Sequence, residues 1–343
     1  MKKLISLVLA GILAISLAAC GSSQPAPASS SAAPSSVPAS SEPASSSQPA
    51  PKPAEKDYTV SVVLKTLSSE YWGYVKAGCD KAAQDFGITV NVLGPAAESE
   101  ISEQVAQIEQ QLSANVDAIV VAPCESSAAA GALATAVGKI PVLFVDTDAE
   151  LEGKTSFVGT GNKEAAALGG KYIADKLGKG GKAVCICGQL GEATSESRLS
   201  GYKESLEAGG ITVLDTLSGQ NTADKSMATM EDLLARFPNE IQAVLCHNDD
   251  TAIGAQQACE QNGIDNIKII GFDGNKSAVD LILAGKLEGT IAQQPFQMGY
   301  MAVEAAVKSI NGEKIDPVIP VPAKLITKDN AQAYLDELAS MSK

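Results

Sequence analysis

The stretch Ala243-Val244-Leu245-Cys246-His247-Asn248-Asp249 places four apolar residues directly before three polar ones. A continuous apolar run of this length is typical of a strand buried on both faces of a parallel sheet. Polar side chains that follow such a strand lie at its carboxyl end, where open α/β sheets bind their ligands. This stretch therefore predicts both a class of fold and the position of a site.

Nine further apolar runs occur between residues 59 and 292, and amphipathic segments such as residues 101–113 separate them. Alternating strands and helices indicate a parallel sheet covered by helices on both faces. Because five strands precede residue 160 and five follow it, we expect an α/β fold with two doubly wound, Rossmann-like lobes. The predicted strands are 59–64, 89–93, 118–122, 142–146, 156–159, 183–187, 212–217, 243–246, 268–271 and 289–292.

The composition excludes several classes of function. The chain has 343 residues, enough for two domains, and carries 26 Lys and Arg against 40 Asp and Glu, a net charge of −14. Such an acidic surface repels nucleic acid. Since His247 is the one histidine of the sequence, sites that need two are excluded. We expect no metal and no cofactor.

Enzyme signatures are missing as well. The sequence has no GxxxxGK[ST] phosphate loop and no GxSxG nucleophile elbow, and Glu164 stands where a dinucleotide pattern starting at Gly159 requires its third glycine. The six cysteines after residue 57 show no CxxC spacing, so we interpret them as structural thiols. The chain is expected to bind rather than to catalyse.

The first 56 residues predict export and a tether. A basic start and an apolar core at residues 4–17 are followed by Leu17-Ala18-Ala19-Cys20, which resembles a lipobox. Residues 1–20 are then a lipoprotein signal peptide and Cys20 carries the lipid; an ordinary signal peptide with an incidental cysteine is the alternative. Residues 21–56 contain 12 Ser, 8 Pro and 8 Ala, a composition that predicts a disordered tether.

Polar and aromatic residues collect where the predicted strands end. Carboxylates and amides pair with vicinal hydroxyl groups, and an aromatic face covers the C–H side of a sugar ring. Together they predict a shared cleft for a sugar. The residues are Ser69, Tyr71, Trp72, Asp146, Thr147, Asn248, Asp273 and Gln293.

Each of these residues also has a structural explanation. Ser69 and Asp249 are good helix caps, and Asp146 suits a turn. Tyr71 and Trp72 could belong to the core, but adjacent helical residues point about 100° apart. They cannot both face one core, so at least one is expected to project into the cleft.

Four segments together resemble the ribose-binding group of type I periplasmic binding proteins, over residues 58–327. The resemblance implies a sugar-binding ABC transporter lipoprotein that captures its ligand outside the cell and delivers it to an importer. The segments are Ala243-Val244-Leu245-Cys246-His247-Asn248-Asp249, Ile269-Ile270-Gly271-Phe272-Asp273-Gly274, Gly289-Thr290-Ile291-Ala292-Gln293-Gln294-Pro295 and Asp117-Ala118-Ile119-Val120-Val121-Ala122-Pro123.

The resemblance also implies that the chain crosses between the lobes three times, which makes a three-segment hinge. We place the crossings near residues 160–161, 293–294 and 321–323. The first lobe is then 57–160 plus 294–322, and the second is 161–293 plus 323–343.

Position by position, the resemblance assigns sugar contacts to the strand-end residues above and adds Glu196 and Asn221. Thr147 and Glu196 stand where the ribose-binding pattern has arginines, and Asn221 replaces an aromatic residue. We therefore expect a ligand other than ribose. It is a different sugar or polyol, or one with an amino group that neutralises Asp146, Asp273 and Glu196.

These expectations combine into one hypothesis. The protein is a monomeric binding protein, lipid-anchored on the extracellular face of the cytoplasmic membrane, that supplies a sugar or polyol to an ABC permease. A receptor for a nucleoside or a signalling molecule on the same fold is the alternative.

Overall fold

The structure of the protein is a computed structural model that describes residues 57–341. The predicted signal peptide, Cys20 and the tether at residues 21–56 lie outside the described residues. The strands of the described part are β1 (Thr59–Val63), β2 (Thr89–Leu93), β3 (Ala118–Val121), β4 (Val142–Val145), β5 (Ser156–Gly159), β6 (Lys182–Cys187), β7 (Thr212–Ser218), β8 (Ala243–Cys246), β9 (Lys268–Asp273), β10 (Gly289–Ala292), β11 (Val318–Pro320) and β12 (Lys324–Thr327).

The helices alternate with the strands along most of the chain, as expected for a parallel sheet with crossover connections. They are α1 (Glu70–Phe86), α2 (Ile101–Ser113), α3 (Ser126–Leu133), α4 (Asn162–Leu177), α5 (Ala193–Ala208), α6 (Ala223–Arg236), α7 (Asp249–Gln261), α8 (Lys276–Leu283), α9 (Pro295–Ile310) and α10 (Ala331–Met341).

The strands form two sheets of six. The first has the order β11-β5-β4-β3-β1-β2 and is parallel throughout. The second has the order β12-β10-β9-β8-β6-β7, and only β12 in it runs antiparallel to its neighbour. The first lobe is the first sheet with α1, α2, α3 and α9, and the second lobe is the second sheet with the other helices.

Both sheets are buried on both faces. Val62 and Val63 are neighbours on β1, yet they belong to separate apolar clusters, because successive strand residues point to opposite faces. Cys185 and Ile186 on β6 are divided between two clusters of the second lobe in the same way. Helices therefore cover each sheet on two sides, and the predicted fold class is confirmed.

The chain passes between the sheets at three connections. They follow β5, β10 and β11, and the predicted crossings at residues 160–161, 293–294 and 321–323 fall within them. The Gln294 side chain donates to the Pro322 carbonyl oxygen at 3.0 Å. This bond ties the second connection to the third.

The six cysteines of the described residues are all free and buried. Burial raises the pKa of the Cys79 thiol to about 12 and has the same direction at Cys185 and Cys259. Over residues 57–341 we find neither a helix that could cross a membrane nor a cluster of three metal-ligating side chains.

Candidate functional site

A cavity of about 20 Å³, space for about one water molecule, lies between the carboxyl ends of the two sheets. Both lobes contribute its walls, and the lobes touch across it. The residues that line it are Lys65, Ser69, Tyr71, Trp72, Glu98, Asp146, Glu192, Thr194, Arg198, His247, Asn248 and Asp273.

The two aromatic residues at the start of α1 hold two carboxylates of the first lobe. The Tyr71 hydroxyl donates to Asp146 at 2.6 Å, and the Trp72 indole N–H donates to Glu98 at 2.7 Å. Their rings meet edge to face at a centroid distance of 5.0 Å. Both residues line the cavity, and both also belong to one apolar cluster. The expectation that they could not share a core is wrong, because the first turn of α1 lies at the junction of core and cleft.

A buried ion pair joins the lobes. Lys65 follows β1 and its ammonium contacts the carboxylate of Glu192, which precedes α5; both side chains are almost completely buried. Burial alone would lower the pKa of Lys65 and raise that of Glu192. Burial is the largest single influence on each group, but the surrounding charges and hydrogen bonds together outweigh it. The acids Glu192, Glu98 and Asp146 raise the pKa of Lys65, and Lys65 contributes most to lowering the pKa of Glu192 to about 2. The Thr194 hydroxyl also donates to Glu192, at 2.6 Å.

Asn221 forms a second connection between the lobes. Its side-chain amide donates to Glu98 of the first lobe at 2.7 Å and to Glu192 of its own lobe at 3.1 Å. Its side-chain oxygen accepts from the backbone N–H of Gln189 at 2.9 Å. Asn221 therefore lies at the edge of the cleft and binds both acids.

Arg198 and Gln293 surround Asp273 in the second lobe. The Gln293 amide donates to Asp273 at 2.8 Å, and the Arg198 guanidinium lies 3.8 Å away. Two further contacts hold the Arg198 side chain in place. It stacks on Phe272 at 3.8 Å and donates to the His247 carbonyl oxygen at 2.9 Å. Burial raises the pKa of Asp273 well above its usual range, although Arg198 lowers it.

Three of the predicted site residues have backbone angles that are uncommon for a side-chain-bearing residue. The φ angles of Asp146, Asn221 and Asp273 are 63°, 62° and 125°. Such conformations cost on the order of 1–3 kcal/mol for many residues and concentrate at functional sites. Here they occur where the chain turns sharply at the cleft.

The structure brings most of the predicted site residues together. Ser69, Tyr71, Trp72, Asp146, Asn248 and Asp273 line the cavity. Thr147 and Gln293 are buried behind it, where each donates to one of the aspartates. Asn248, and not Asp249, caps α7, since its side-chain oxygen accepts from the Thr251 N–H at 2.9 Å.

Glu196 does not join the site. It is exposed on α5, whereas Glu192, one turn earlier, is buried in the cleft. The acid of this region that lines the cleft is therefore Glu192, four residues before the predicted Glu196. Asp273 is also better compensated than the sequence suggested, because Arg198 lies beside it.

The sequence analysis missed six residues that line the cavity. Lys65 and His247 directly follow predicted strands, so the strand-end rule contained the signal for both. Glu98, Glu192, Thr194 and Arg198 lie in loops or in the first turns of α5, and no motif marks them.

Comparison with known proteins places this geometry in a family. A family model described as a periplasmic binding protein domain matches residues 60–314. The ribose import binding protein RbsB of Bacillus subtilis (strain 168) is 35% identical over 276 residues, which are 80% of this chain and 88% of that protein.

Solved structures agree with the family match. An ABC transporter periplasmic solute binding protein from Actinobacillus succinogenes 130z, with bound D-allose, aligns with a TM-score of 0.76 and 27% identity over 81% of this chain and 100% of that one. One from Bacillus halodurans C-125, with bound myo-inositol, aligns with a TM-score of 0.74 and 27% identity over 82% and 98%. The chain therefore belongs to the periplasmic binding protein family, as a solute-binding protein of the ABC transporter type and not an enzyme.

Proposed function

We propose that the protein captures a sugar or polyol in the cleft between its lobes and delivers it to an ABC importer. The observation that carries the proposal is one cleft that carboxylates of both lobes line, together with the Asn248 amide of the second lobe and two aromatic rings of the first. Paired acceptors and donors suit vicinal hydroxyl groups, and the rings suit the C–H face of a sugar.

The similar proteins support the ligand class. The Bacillus subtilis relative is named for ribose import, and the two solved structures hold D-allose and myo-inositol, which are polyhydroxylated rings. Ribose itself fits less well, because Thr147 stands beside Asp146 at a position where the resemblance implies an arginine. We therefore propose that the ligand is a different sugar or a polyol.

Lobe closure couples binding to delivery. Lys65 and Glu192 contact each other across the cleft, and Glu98 accepts from Asn221 of the opposite lobe. A ligand that bonds to both lobes stabilises the closed arrangement over the open one, which is a shift of population. The remaining volume is far below that of a sugar, so these bridging side chains must move apart when the ligand enters. The importer then recognises the closed form.

The location follows from the first 56 residues. A lipid on Cys20 would anchor the protein at the extracellular face of the cytoplasmic membrane, with residues 21–56 as the tether. The protein acts there as a monomer.

A thermal-shift screen tests the proposed function. The purified protein is melted with pentoses, hexoses, polyols, amino sugars and nucleosides in parallel, and calorimetry follows each positive result. We expect a raised melting temperature with members of the sugar or polyol classes. A response to nucleosides alone would replace this function with a nucleoside receptor.

A further inference from the structure

The charges that line the cleft do not balance. Two cations, Lys65 and Arg198, face four carboxylates, which are Glu98, Asp146, Glu192 and Asp273. With every group ionised, the cleft has an excess of two negative charges. Buried charges are costly unless they are paired, so the distribution of these charges matters for what the cleft binds.

Both cations already have a carboxylate partner. The Lys65 ammonium contacts Glu192, and the Arg198 guanidinium lies 3.8 Å from Asp273. His247 adds no third cation, because burial lowers its pKa to about 3 and leaves the imidazole neutral at pH 7. Its Nδ1 atom is buried without a hydrogen-bond partner, and the residue lines the cavity.

The other two carboxylates receive hydrogen bonds from neutral donors. Glu98 accepts from the Trp72 indole and the Asn221 amide, both at 2.7 Å. Asp146 accepts from the Tyr71 and Thr147 hydroxyls, at 2.6 and 2.8 Å. Neither forms an ion pair with any residue in the described range 57–341.

Glu98 lies close to a second acid, Glu192. Burial raises its pKa, and the nearby Lys65 charge only partly opposes this because Glu192 acts in the same direction as burial. The single Lys65 charge is therefore shared among Glu192, Glu98 and Asp146, and only Glu192 forms an ion pair with it.

Resting on the proposed function, we infer that the ligand is an amino-substituted sugar or polyol whose ammonium group is held by Glu98 and Asp146. An ammonium donates three hydrogen bonds, and bonds between ions are about twice as strong as neutral ones. It would bring a further cation to two acids that otherwise share the Lys65 charge with Glu192 and form no ion pair of their own. The unpartnered Nδ1 of His247 leaves one more polar atom for a ligand hydroxyl.

Calorimetry with matched sugars tests this inference. The purified protein is titrated with D-glucosamine and D-galactosamine, with D-glucose and D-galactose as neutral parents, and with N-acetyl-D-glucosamine as an amine without charge. We expect at least one amine to bind about tenfold or more tightly than its parent, and acetylation to remove the gain.

Two matched variants test whether Glu98 holds the ammonium group. Glu98→Gln removes the charge but keeps an oxygen that accepts from Trp72, and we expect the preference for the amine to fall about tenfold. Glu196→Gln makes the same change on the exposed face of α5 and should leave the preference intact. The melting temperature of each variant checks that it is folded.

The outcomes separate the two proposals. If a parent sugar binds as tightly as its amine, or if Glu98→Gln keeps the full preference in a folded protein, the inference is wrong and the proposed function stands. If no sugar, amine or polyol binds, both fail.

Discussion

The carboxylate of Glu70 accepts a hydrogen bond from the backbone N–H of Lys276 at 2.9 Å, although the two residues belong to different lobes. Glu70 begins α1 and Lys276 begins α8. The Ser277 N–H donates to the same carboxylate at 3.4 Å, and the N-cap residue Asn275 makes no side-chain cap bond of its own. One lobe therefore supplies the N-terminal cap for a helix of the other, in a contact that we expect to be lost when the lobes open.

Removing this cap should weaken ligand binding, although Glu70 does not line the cavity. A helix cap contributes about 1 kcal/mol, so we expect Glu70→Ala to weaken the affinity about fivefold, mainly through faster dissociation. Calorimetric titration measures the affinity, and stopped-flow experiments measure the dissociation rate. Glu109→Ala, an exposed acid on α2, is the control. An unchanged affinity in Glu70→Ala would show that the contact does not contribute to closure.

Asp273 should be needed for binding more than for folding. Its burial raises the pKa of the carboxyl group, so its removal relieves a desolvation cost that offsets the lost bond from Gln293. Arg198 also loses its contact with Asp273, but it keeps its hydrogen bonds to Asn162 and to the His247 carbonyl oxygen. We expect Asp273→Ala to abolish the thermal shift by ligand and to leave the melting temperature without ligand nearly unchanged. Unfolding of the variant without ligand would instead make Asp273 a structural residue.

The proposed lipid anchor depends on one atom, the Cys20 sulfur. We expect Cys20→Ser to move the protein from the membrane fraction to the soluble fraction, since a serine accepts no thioether-linked lipid. Ser22→Ala leaves the cysteine in place and should remain with the membrane. Immunoblots of separated fractions decide the matter, and membrane retention of Cys20→Ser would contradict the lipobox interpretation.

Two glycines of α1 should respond oppositely to alanine. A methyl group on Gly78 would lie 2.0 Å from the Phe296 carbonyl oxygen of α9, whereas one on Gly73 would meet no atom within 4 Å. We expect Gly78→Ala to destabilise the fold by about 1–3 kcal/mol. Gly73→Ala should be neutral or stabilise it by up to about 1 kcal/mol, because alanine favours helix. Urea denaturation of both variants measures the difference, and equal stabilities would disprove close α1–α9 packing.

The buried His247 should make the fold sensitive to acid. Burial lowers its pKa from 6.5 to about 3, so between these values the unfolded chain binds a proton that the folded protein excludes. The free energy of unfolding therefore falls as the pH decreases through this window, by up to about 1.4 kcal/mol per pH unit.

The variant His247→Asn isolates this effect. Asp249, whose pKa burial raises to about 7, titrates in the same range in both proteins, so the difference between their pH profiles belongs to His247. Urea denaturation from pH 7 to about pH 4 should show a steeper loss in the wild type. Parallel profiles would mean that His247 is not buried as a neutral base.

The strands were the part of the fold that could be predicted best, and the reason is burial. All ten predicted strands exist, because a strand covered on both faces must be apolar along its whole length. β11 and β12 were missed because they are edge strands of three and four residues, and Val318 on β11 is 54% exposed. An edge strand has little apolar pattern to detect.

The site was harder to predict because its parts are far apart in sequence. Lys65 and Glu192 are separated by 127 residues, and a lone lysine after a strand is normally solvated. Glu196 was placed in the cleft by position alone, but α5 begins at Ala193 and turns that side chain outward. Glu192 reaches the cleft because it precedes α5 in an extended conformation, whereas Glu196 lies within the helix.

The three connections between the lobes have a consequence for biosynthesis. β11 pairs with β5, with Val318 opposite Phe157, so the first sheet lacks its edge until residues 318–320 have been synthesised. The second sheet waits in the same way for β12 beside β10. Neither lobe can therefore complete its sheet early in translation. Until β11 and β12 are synthesised, the nascent chain has unpaired sheet edges, at which it can aggregate or bind a chaperone.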